Sequence, residues 1–190
     1  MPKLVWKPST LLYPVPVLMV SCQGKGGKPN IITVAWAGTV CSDPPMLSIA
    51  VQPRRFSYQL LKETGEFVAN LPTERLAFAV DFCGVRSGRD VDKFAHLKLT
   101  PEKASVVGVP MIKECPVNIE CRVRQTLPLG SHELFLAEVV AINVDEGLVQ
   151  ETGRLDLGKA RLLAYVHGHY YGMGKPLGHF GFSVRKQGKK

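Results

Sequence analysis

Short apolar runs punctuated by glycine and proline dominate the chain, and helical spacing is confined to a few segments. Residues 15–22 carry Val17-Leu18-Met19-Val20 behind Pro16, which reads as a first strand with an edge proline. Residues 23–30, with three glycines and Pro29, form a hairpin turn. Gly24-x-Gly26 has the spacing of a nucleotide loop, but no helical pattern follows it, so the context rejects that reading. Residues 31–39 return as a strand, with Ile31, Thr33, Ala35 and Ala37 on one face and Ile32, Val34 and Trp36 on the other. The small face leaves room either for a flat aromatic ligand or for close packing on another element.

After a turn at 42–45 and a strand at 46–51, residues 53–65 predict a helix: Pro53 suits the first turn, Phe56, Leu60 and Leu61 form an apolar face, and Gly65 stops it. A buried strand follows at 66–71. A second helix opens at Pro72-Thr73, runs through Phe82 and ends at Gly84. Residues 90–96 predict a short helix with Asp90 as N-cap, and 97–114 are irregular. In 117–127, Val117, Ile119, Cys121 and Val123 alternate with Asn118, Glu120, Arg122 and Arg124, the pattern of a half-buried antiparallel strand. It turns at 128–131 and returns over 132–144. A loop with a short strand at Leu148-Val149 leads to a last strand at 162–166, then to a glycine- and aromatic-rich segment that is either an ordered, non-regular wrap or a flexible tail.

Strands outnumber helices and mostly join as hairpins, so a parallel doubly wound sheet does not fit. The expected fold is mainly β, an antiparallel barrel with inserted helices, because closure removes exposed strand edges. Residues 1–190 read as one domain, with an arm at 1–13 and a wrap and basic tail at 167–190; no internal repeat interrupts it.

Composition changes this picture little. The hydrophobic fraction of 45% is that of an ordinary globular chain. No apolar run is long enough for a bilayer and no leader pattern precedes a cleavage site, which gives a cytoplasmic, non-membrane expectation. The formal net charge of +8 suits an anionic ligand. Part of it is the tail at 185–190, and no nucleic-acid-binding signature accompanies it, so nucleic acid is not the expected partner. Five cysteines without C-x-x-C spacing read as reduced core residues, and His167-x-His169 has no second cluster to complete a metal site.

The densest polar cluster is Gly84-Val85-Arg86-Ser87-Gly88-Arg89-Asp90-Val91-Asp92-Lys93-Phe94. Ser87-Gly88 can offer a hydroxyl and a backbone N–H to an anion, while Arg86, Arg89 and Lys93 supply charge. Arg54, Arg55 and Ser57 stand at a helix start, where arginine opposes the dipole unless an anion is near. A capped surface loop is the competing reading of the same residues.

Several runs, in order, carry a resemblance: Pro14-Val15-Pro16-Val17-Leu18-Met19-Val20-Ser21, Gly27-Lys28-Pro29-Asn30-Ile31-Ile32-Thr33, Ala35-Trp36-Ala37-Gly38-Thr39, Pro53-x-Arg55-x-Ser57-Tyr58, Gly65-Glu66-Phe67-Val68-Ala69-Asn70-Leu71, Ser87-Gly88-Arg89-Asp90-Val91-Asp92-Lys93-Phe94, Glu120-Cys121 and Gly130-x-His132-x-Leu134. From about Pro14 to about Tyr171 the chain resembles the flavin-reductase-like FMN-binding split-barrel family, above all its small electron carriers. The resemblance implies a six-stranded antiparallel (Greek-key) barrel, a homodimer, and one FMN per subunit at the dimer interface. It implies that the strand with Asn30, Thr33, Ala35, Gly38 and Thr39 lies along the isoalloxazine and that Trp36 borders it. Arg55, Ser57, Ser87, Gly88 and Arg89 would reach the phosphate, and Lys93 and His132 would approach the flavin. Tyr165 or Tyr170 would approach from the C-terminal segment. The family's redox chemistry belongs to the cofactor, so no catalytic residue is assigned. A lysine or helix N-terminus near the ring would favour anionic reduced flavin and raise its potential. Three functions stay open: electron transfer between redox protein partners, an NAD(P)H-dependent flavin or ferric reductase, and a barrel that binds a non-redox ligand.

Overall fold

The computed structural model describes residues 1–184, so the basic run 185–190 lies outside the described residues. Twelve strands are present there: β1 Val15–Pro16, β2 Leu18–Gln23, β3 Pro29–Val34, β4 Ala37–Ser42, β5 Pro45–Val51, β6 Glu66–Leu71, β7 Pro101–Glu102, β8 Met111–Ile112, β9 Val117–Leu129, β10 His132–Val144, β11 Leu163–Val166 and β12 His169–Gly172. Three α-helices are inserted among them: α1 Phe56–Thr64, α2 Ala77–Val85 and α3 Lys93–Leu97.

Seven strands form one sheet in the order β3-β2-β6-β9-β10-β5-β4, each neighbouring pair antiparallel. β3 and β4 stand at opposite ends of that order, yet only Ala35 and Trp36 join them. Two residues span about 7 Å at most. The sheet must therefore curl until its edges meet, which is the antiparallel barrel expected from the hairpin pattern and the split barrel that the resemblance implies. Register shifts at Leu136/Ala137 and Val139/Ala141 are bulges that bend the 13-residue strands β9 and β10 around the curve. Their two-residue turn starts at Gly130, whose φ of +72° suits glycine.

The barrel interior is filled by Val20, Ile32, Val34, Ile49, Phe67 and Phe135, with Leu61 of α1 against them. A second cluster on the outside joins Met19 and Ile31 to Val80 and Cys83 of α2 and Phe94 of α3. β2 and β3 are thus buried on both faces, which is why their sequences read as continuous apolar runs.

Several expectations need correction. The strand expected over 31–39 breaks at Ala35-Trp36, where the backbone leaves β2 and takes β5 as its partner. The face with Ile31 and Thr33 is covered by α2: Thr33 Oγ1 donates to the Val80 carbonyl, and a Cβ on Gly84 would stand 3.4 Å from Thr33 Cβ. Gly84 accordingly lies inside α2 and does not stop it; the helix runs to Val85. The cap of α3 is Asp92, whose Oδ1 accepts from Ala95 N at 3.1 Å, while Asp90 sits in the preceding turn. Leu148 ends a 3₁₀ turn instead of opening a strand. The segment after Val166 is a regular hairpin, β11–β12, whose other edge pairs with β1. Gly65 does stop α1 as expected, with φ +66° and its N–H bonded to the Leu61 carbonyl.

The polar face of β9 is the largest departure from the alternation reading. Asn118 and Glu120 are buried, not solvated, because residues 103–112 fold over them. Glu120 is fully buried and accepts from the N–H groups of Ser105, Val106 and Val107 at 2.7–2.9 Å and from Asn143 Nδ2 at 2.7 Å. Burial pushes its carboxyl up, but these donors outweigh burial and hold it below the ordinary glutamate value.

Glu120→Gln replaces an acceptor-only group with one that turns a donor toward donors. It is expected to destabilise the protein by about 3 kcal/mol in urea melts at pH 7. Because the folded value is depressed, this stabilisation is full above the unfolded value of about 4.3 and disappears as pH falls through the folded one. The gap between wild type and variant should close in acid; a gap independent of pH would show that the carboxylate charge is not what holds residues 105–107.

Candidate functional site

β5 runs out of the barrel into a turn at Pro53-Arg54, and α1 starts just beyond it. Arg55 occupies the N-cap position with φ −72° and ψ 138°, makes no side-chain cap bond, and is followed by no acidic residue in the first turn. The opening N–H groups of α1 therefore have no side-chain acceptor, and their partial positive charge is not offset. The loop after α2 meets this helix start. Together they enclose a cavity of about 300 Å³ lined by Arg54, Arg55, Arg86, Arg89 and Lys93 with Asn30, Ser57, Ser87 and Gly88, and by no carboxylate.

Each group there is held by a neighbour. Lys93 is 3% exposed, and its Nζ donates to the carbonyls of Ile31 at 2.6 Å and Cys83 at 2.9 Å. Burial lowers its pKa, the Cys83 and Cys22 thiols oppose that, and the Arg55 charge lowers it further. Arg55 Nη1 donates to the Gly84 carbonyl at 3.2 Å. Ser87 Oγ accepts from Arg89 N at 3.2 Å, which leaves its own hydroxyl proton free to donate. The Arg89 guanidinium lies 5.5 Å from the Phe56 ring centroid, a cation–π contact. Asn30 Nδ2 donates to Ser57 Oγ at 2.8 Å, and both residues are buried. Gly88 lies directly on this pair: a Cβ would fall 2.2 Å from Asn30 Oδ1 and 2.9 Å from Phe56.

A second cavity, of about 420 Å³, shares Ile32 and Arg55 with the first, so the two adjoin at these side chains. Thr33, Ala35 and Trp36 supply one part of its lining, and His132 and Tyr165 another. The rings of Trp36 and His132 are 4.7 Å apart, and Ser131 Oγ is 2.9 Å from His132 Nδ1. Burial, with the charges of Arg54 and Arg55, lowers the His132 pKa, so the imidazole is neutral at pH 7. Tyr165 stacks at an angle between Tyr13 and Tyr170, and the Tyr170 hydroxyl donates to Asp81 at 3.3 Å. Burial, then the Asp81 charge, push the Tyr170 hydroxyl up to about 12, so it remains a donor.

The structure thus brings together Asn30, Thr33, Ala35, Trp36, Arg55, Ser57, Ser87, Gly88, Arg89, Lys93, His132 and Tyr165 in these two adjoining cavities. Lys93 belongs to the cationic cavity, not to the Trp36 one. Two expected residues fall elsewhere. Thr39 is exposed on β4 opposite Leu47, beyond the break at Trp36. Gly38 lines an apolar groove with Leu11 and Leu12 that adjoins the second cavity at Ala35, Trp36 and Ala50. Sequence reasoning left Tyr13, Asp81 and Val85 out of the site; α2 and the β1–β11–β12 sheet bring them in, and no local pattern marks them.

A depression of this kind suits a flat ring at one end and a dianion at the other. Comparisons with known proteins place the chain in a flavin-binding family. The model of the flavin reductase like domain matches residues 10–174. A protein of Archaeoglobus fulgidus is 35% identical over 146 residues, 77% of this chain and 80% of its own length. The fold is similar to the flavoredoxin of Desulfovibrio vulgaris (Miyazaki F), with a TM-score of 0.90, 29% identity, and coverage of 96% of this chain and 100% of that one. It is also similar to the flavoredoxin of Methanosarcina acetivorans, with a TM-score of 0.86, 29% identity, and coverage of 97% and 100%. The chain belongs to the flavin reductase like domain family and is a flavin-binding redox protein of the split-barrel type.

The residues present fit a flavin with a phosphate: a hydroxyl, uncapped helix N–H groups and cations surround a corner without carboxylates, and the glycine at its floor admits no Cβ. Gly88→Ala forces Asn30 and the 86–89 loop apart. FMN affinity, read by flavin fluorescence titration, is expected to fall about tenfold or more, with the far-ultraviolet circular dichroism of the barrel unchanged. Unchanged affinity would put the anion outside this loop.

Proposed function

We propose that the protein binds FMN and carries electrons between redox partners through it, as a homodimer. The observation that carries this reading is the adjacency of the two cavities: an acid-free cationic corner at the start of α1 shares Ile32 and Arg55 with the slot beside Trp36 and His132. Bound there, FMN would supply the one- and two-electron chemistry that no side chain of the protein can.

The chain's own residues have separable tasks in this reading. Ser87, Arg55, Arg89 and the opening N–H groups of α1 bind the phosphate. Lys93 joins them, and a nearby dianion restores the charge that burial disfavours. Thr33, Ala35 and Trp36, held at the barrel seam, fix the ring's edge. His132 stays neutral beside Trp36 and is available as a hydrogen-bond donor or acceptor at the ring. Tyr13, Tyr165 and Tyr170 form an aromatic wall that limits water at the slot.

The homodimer reading rests on exposed apolar side chains that none of the described residues covers. Leu4, Val5, Trp6, Leu11 and Leu12 on the N-terminal arm, and Leu177 and Phe180 near the other end, are all more than half exposed. Residues so apolar are seldom left in water over such lengths. A second subunit receiving both segments would bury them.

The purified protein is expected to be yellow, with one FMN per chain released by acid and identified by chromatography. Ser87→Asp sets a carboxylate against the phosphate and is expected to yield colourless protein that takes up riboflavin but not FMN. A fully FMN-loaded Ser87→Asp protein would show that the phosphate lies elsewhere. Anaerobic mixing with NADH and NADPH completes the test: a carrier keeps its flavin absorbance, whereas rapid bleaching by either nucleotide would make the protein a reductase. Light scattering should give twice the chain mass of 20.9 kDa.

A further inference from the structure

We propose that His132 takes up a proton when the bound flavin is reduced, and that occupancy of the cationic corner sets how readily it does so; the inference rests on the FMN reading above. Among the described residues, which include all five histidines, His132 is the one imidazole that lines either cavity. It is the first residue of β10, delivered by the turn at Gly130. Two neighbours hold its ring. Trp36 lies 4.7 Å away with 44° between the planes, and Ser131 Oγ is 2.9 Å from Nδ1. A hydroxyl can accept from Nδ1–H in both charge states of the ring. In the neutral tautomer that keeps this bond, Nε2 carries the lone pair that receives the proton.

The charges that face this ring come from several elements. Burial first, and then Arg54 and Arg55 at the turn between β5 and α1, hold the imidazole neutral. From α2, Asp81 lines the same cavity, but the Tyr170 hydroxyl engages it. Tyr13 and Tyr165 are the other titratable groups of that lining. Glu133 is the next residue along β10, but its carboxylate accepts from the Tyr58 hydroxyl and from Lys62 Nζ on α1. The two arginines are therefore the charges that bar a proton from His132.

The same two arginines line the anion corner. A dianion bound there offsets their charge, so the imidazole returns toward its ordinary value of about 6.5. Reduction then adds negative charge in the slot beside Trp36. An opposite charge close by favours the imidazolium, and so does the face of an indole ring. The balance is simple. Two electrons and one proton enter the flavin, and a second proton, from water, enters His132 at Nε2. The net charge of the site is then the same before and after. Without that second proton, an uncompensated negative charge would stand in a partly dry slot, which costs free energy.

The test uses full-length protein loaded with FMN. The His132 ring resonance, assigned through bonds from its backbone, is titrated by NMR between about pH 5 and pH 8, before and after anaerobic reduction with dithionite. Its proton affinity should rise at least about tenfold on reduction, which is one pKa unit. Deflavinated protein given inorganic phosphate should show a smaller rise of the same sign, absent in sodium chloride of equal ionic strength. Redox titration gives an independent readout. Wild type should consume two protons per two electrons below the reduced-state value of His132 and one above it, and FMN-loaded His132→Gln should lack that step. An unchanged His132 titration on reduction would overturn the proposal. So would a step that persists at the same pH in His132→Gln, since the second proton would then sit on the flavin. Phosphate without effect on His132 would overturn the coupling to the corner. A wild-type protein that binds no FMN would instead refute the reading on which the inference rests, and its absorption spectrum separates that failure from the others.

Discussion

A buried ammonium ties the barrel to its site. Lys93 is the first residue of α3, and its Nζ reaches the carbonyl of Ile31 on β3 and that of Cys83 on α2. An ion removed from water is tolerated only when it is paired or well hydrogen-bonded. Here two of its three donors are used on two different elements, which fixes the loop 86–92 between them. The cavity that this loop closes is the one where cations gather without a carboxylate. Anion binding and the packing of three elements therefore share one residue. Any ligand that favours the charged form of Lys93 also stabilises that packing, by ordinary linkage.

The second constraint is topological. Ala35 and Trp36 close a seven-stranded antiparallel sheet by joining its two edge strands. At such a seam the chain is leaving one ladder for another, and Trp36 O is taken by Ala50 N at 2.9 Å. A side chain placed there cannot be absorbed into either core. Trp36 is consequently 41% exposed and lies against His132, which is delivered by the tight turn at Gly130. The Trp36 side of the site is thus set by barrel closure, and its cationic side by the helices inserted between strands.

Much of this was legible in the residues. Period-two alternation, glycine turns and the Gly65 stop identified the hairpins and α1, because these depend on local conformational preference. Ser87, Gly88 and Arg89 line one cavity together because chain neighbours remain close in space. What was not legible depended on distant segments. Asn118 and Glu120 alternate like solvent-facing residues, and only the return of residues 103–112 buries them. Gly84 looks like a helix end, but it lies inside α2, where the helix packs on Thr33 of β3. The strand break at Trp36 leaves no local mark, and so Gly38 and Thr39 were assigned to the ring face. Asp92 caps α3 where Asp90 has the same chemistry two residues earlier, and geometry alone decides between them.

A phosphate held by the cations around Lys93 is the proposed anchor of the flavin. Calorimetric titration of deflavinated protein with FMN and with riboflavin, in wild type and in Lys93→Met, tests it most directly, because the two ligands share the ring system and differ in the phosphate. The account predicts that wild type binds FMN at least about a hundredfold more tightly than riboflavin, the size expected of one or two charge-assisted hydrogen bonds. In Lys93→Met that preference should shrink about tenfold while riboflavin affinity stays the same. Equal affinity of wild type for the two ligands would contradict it.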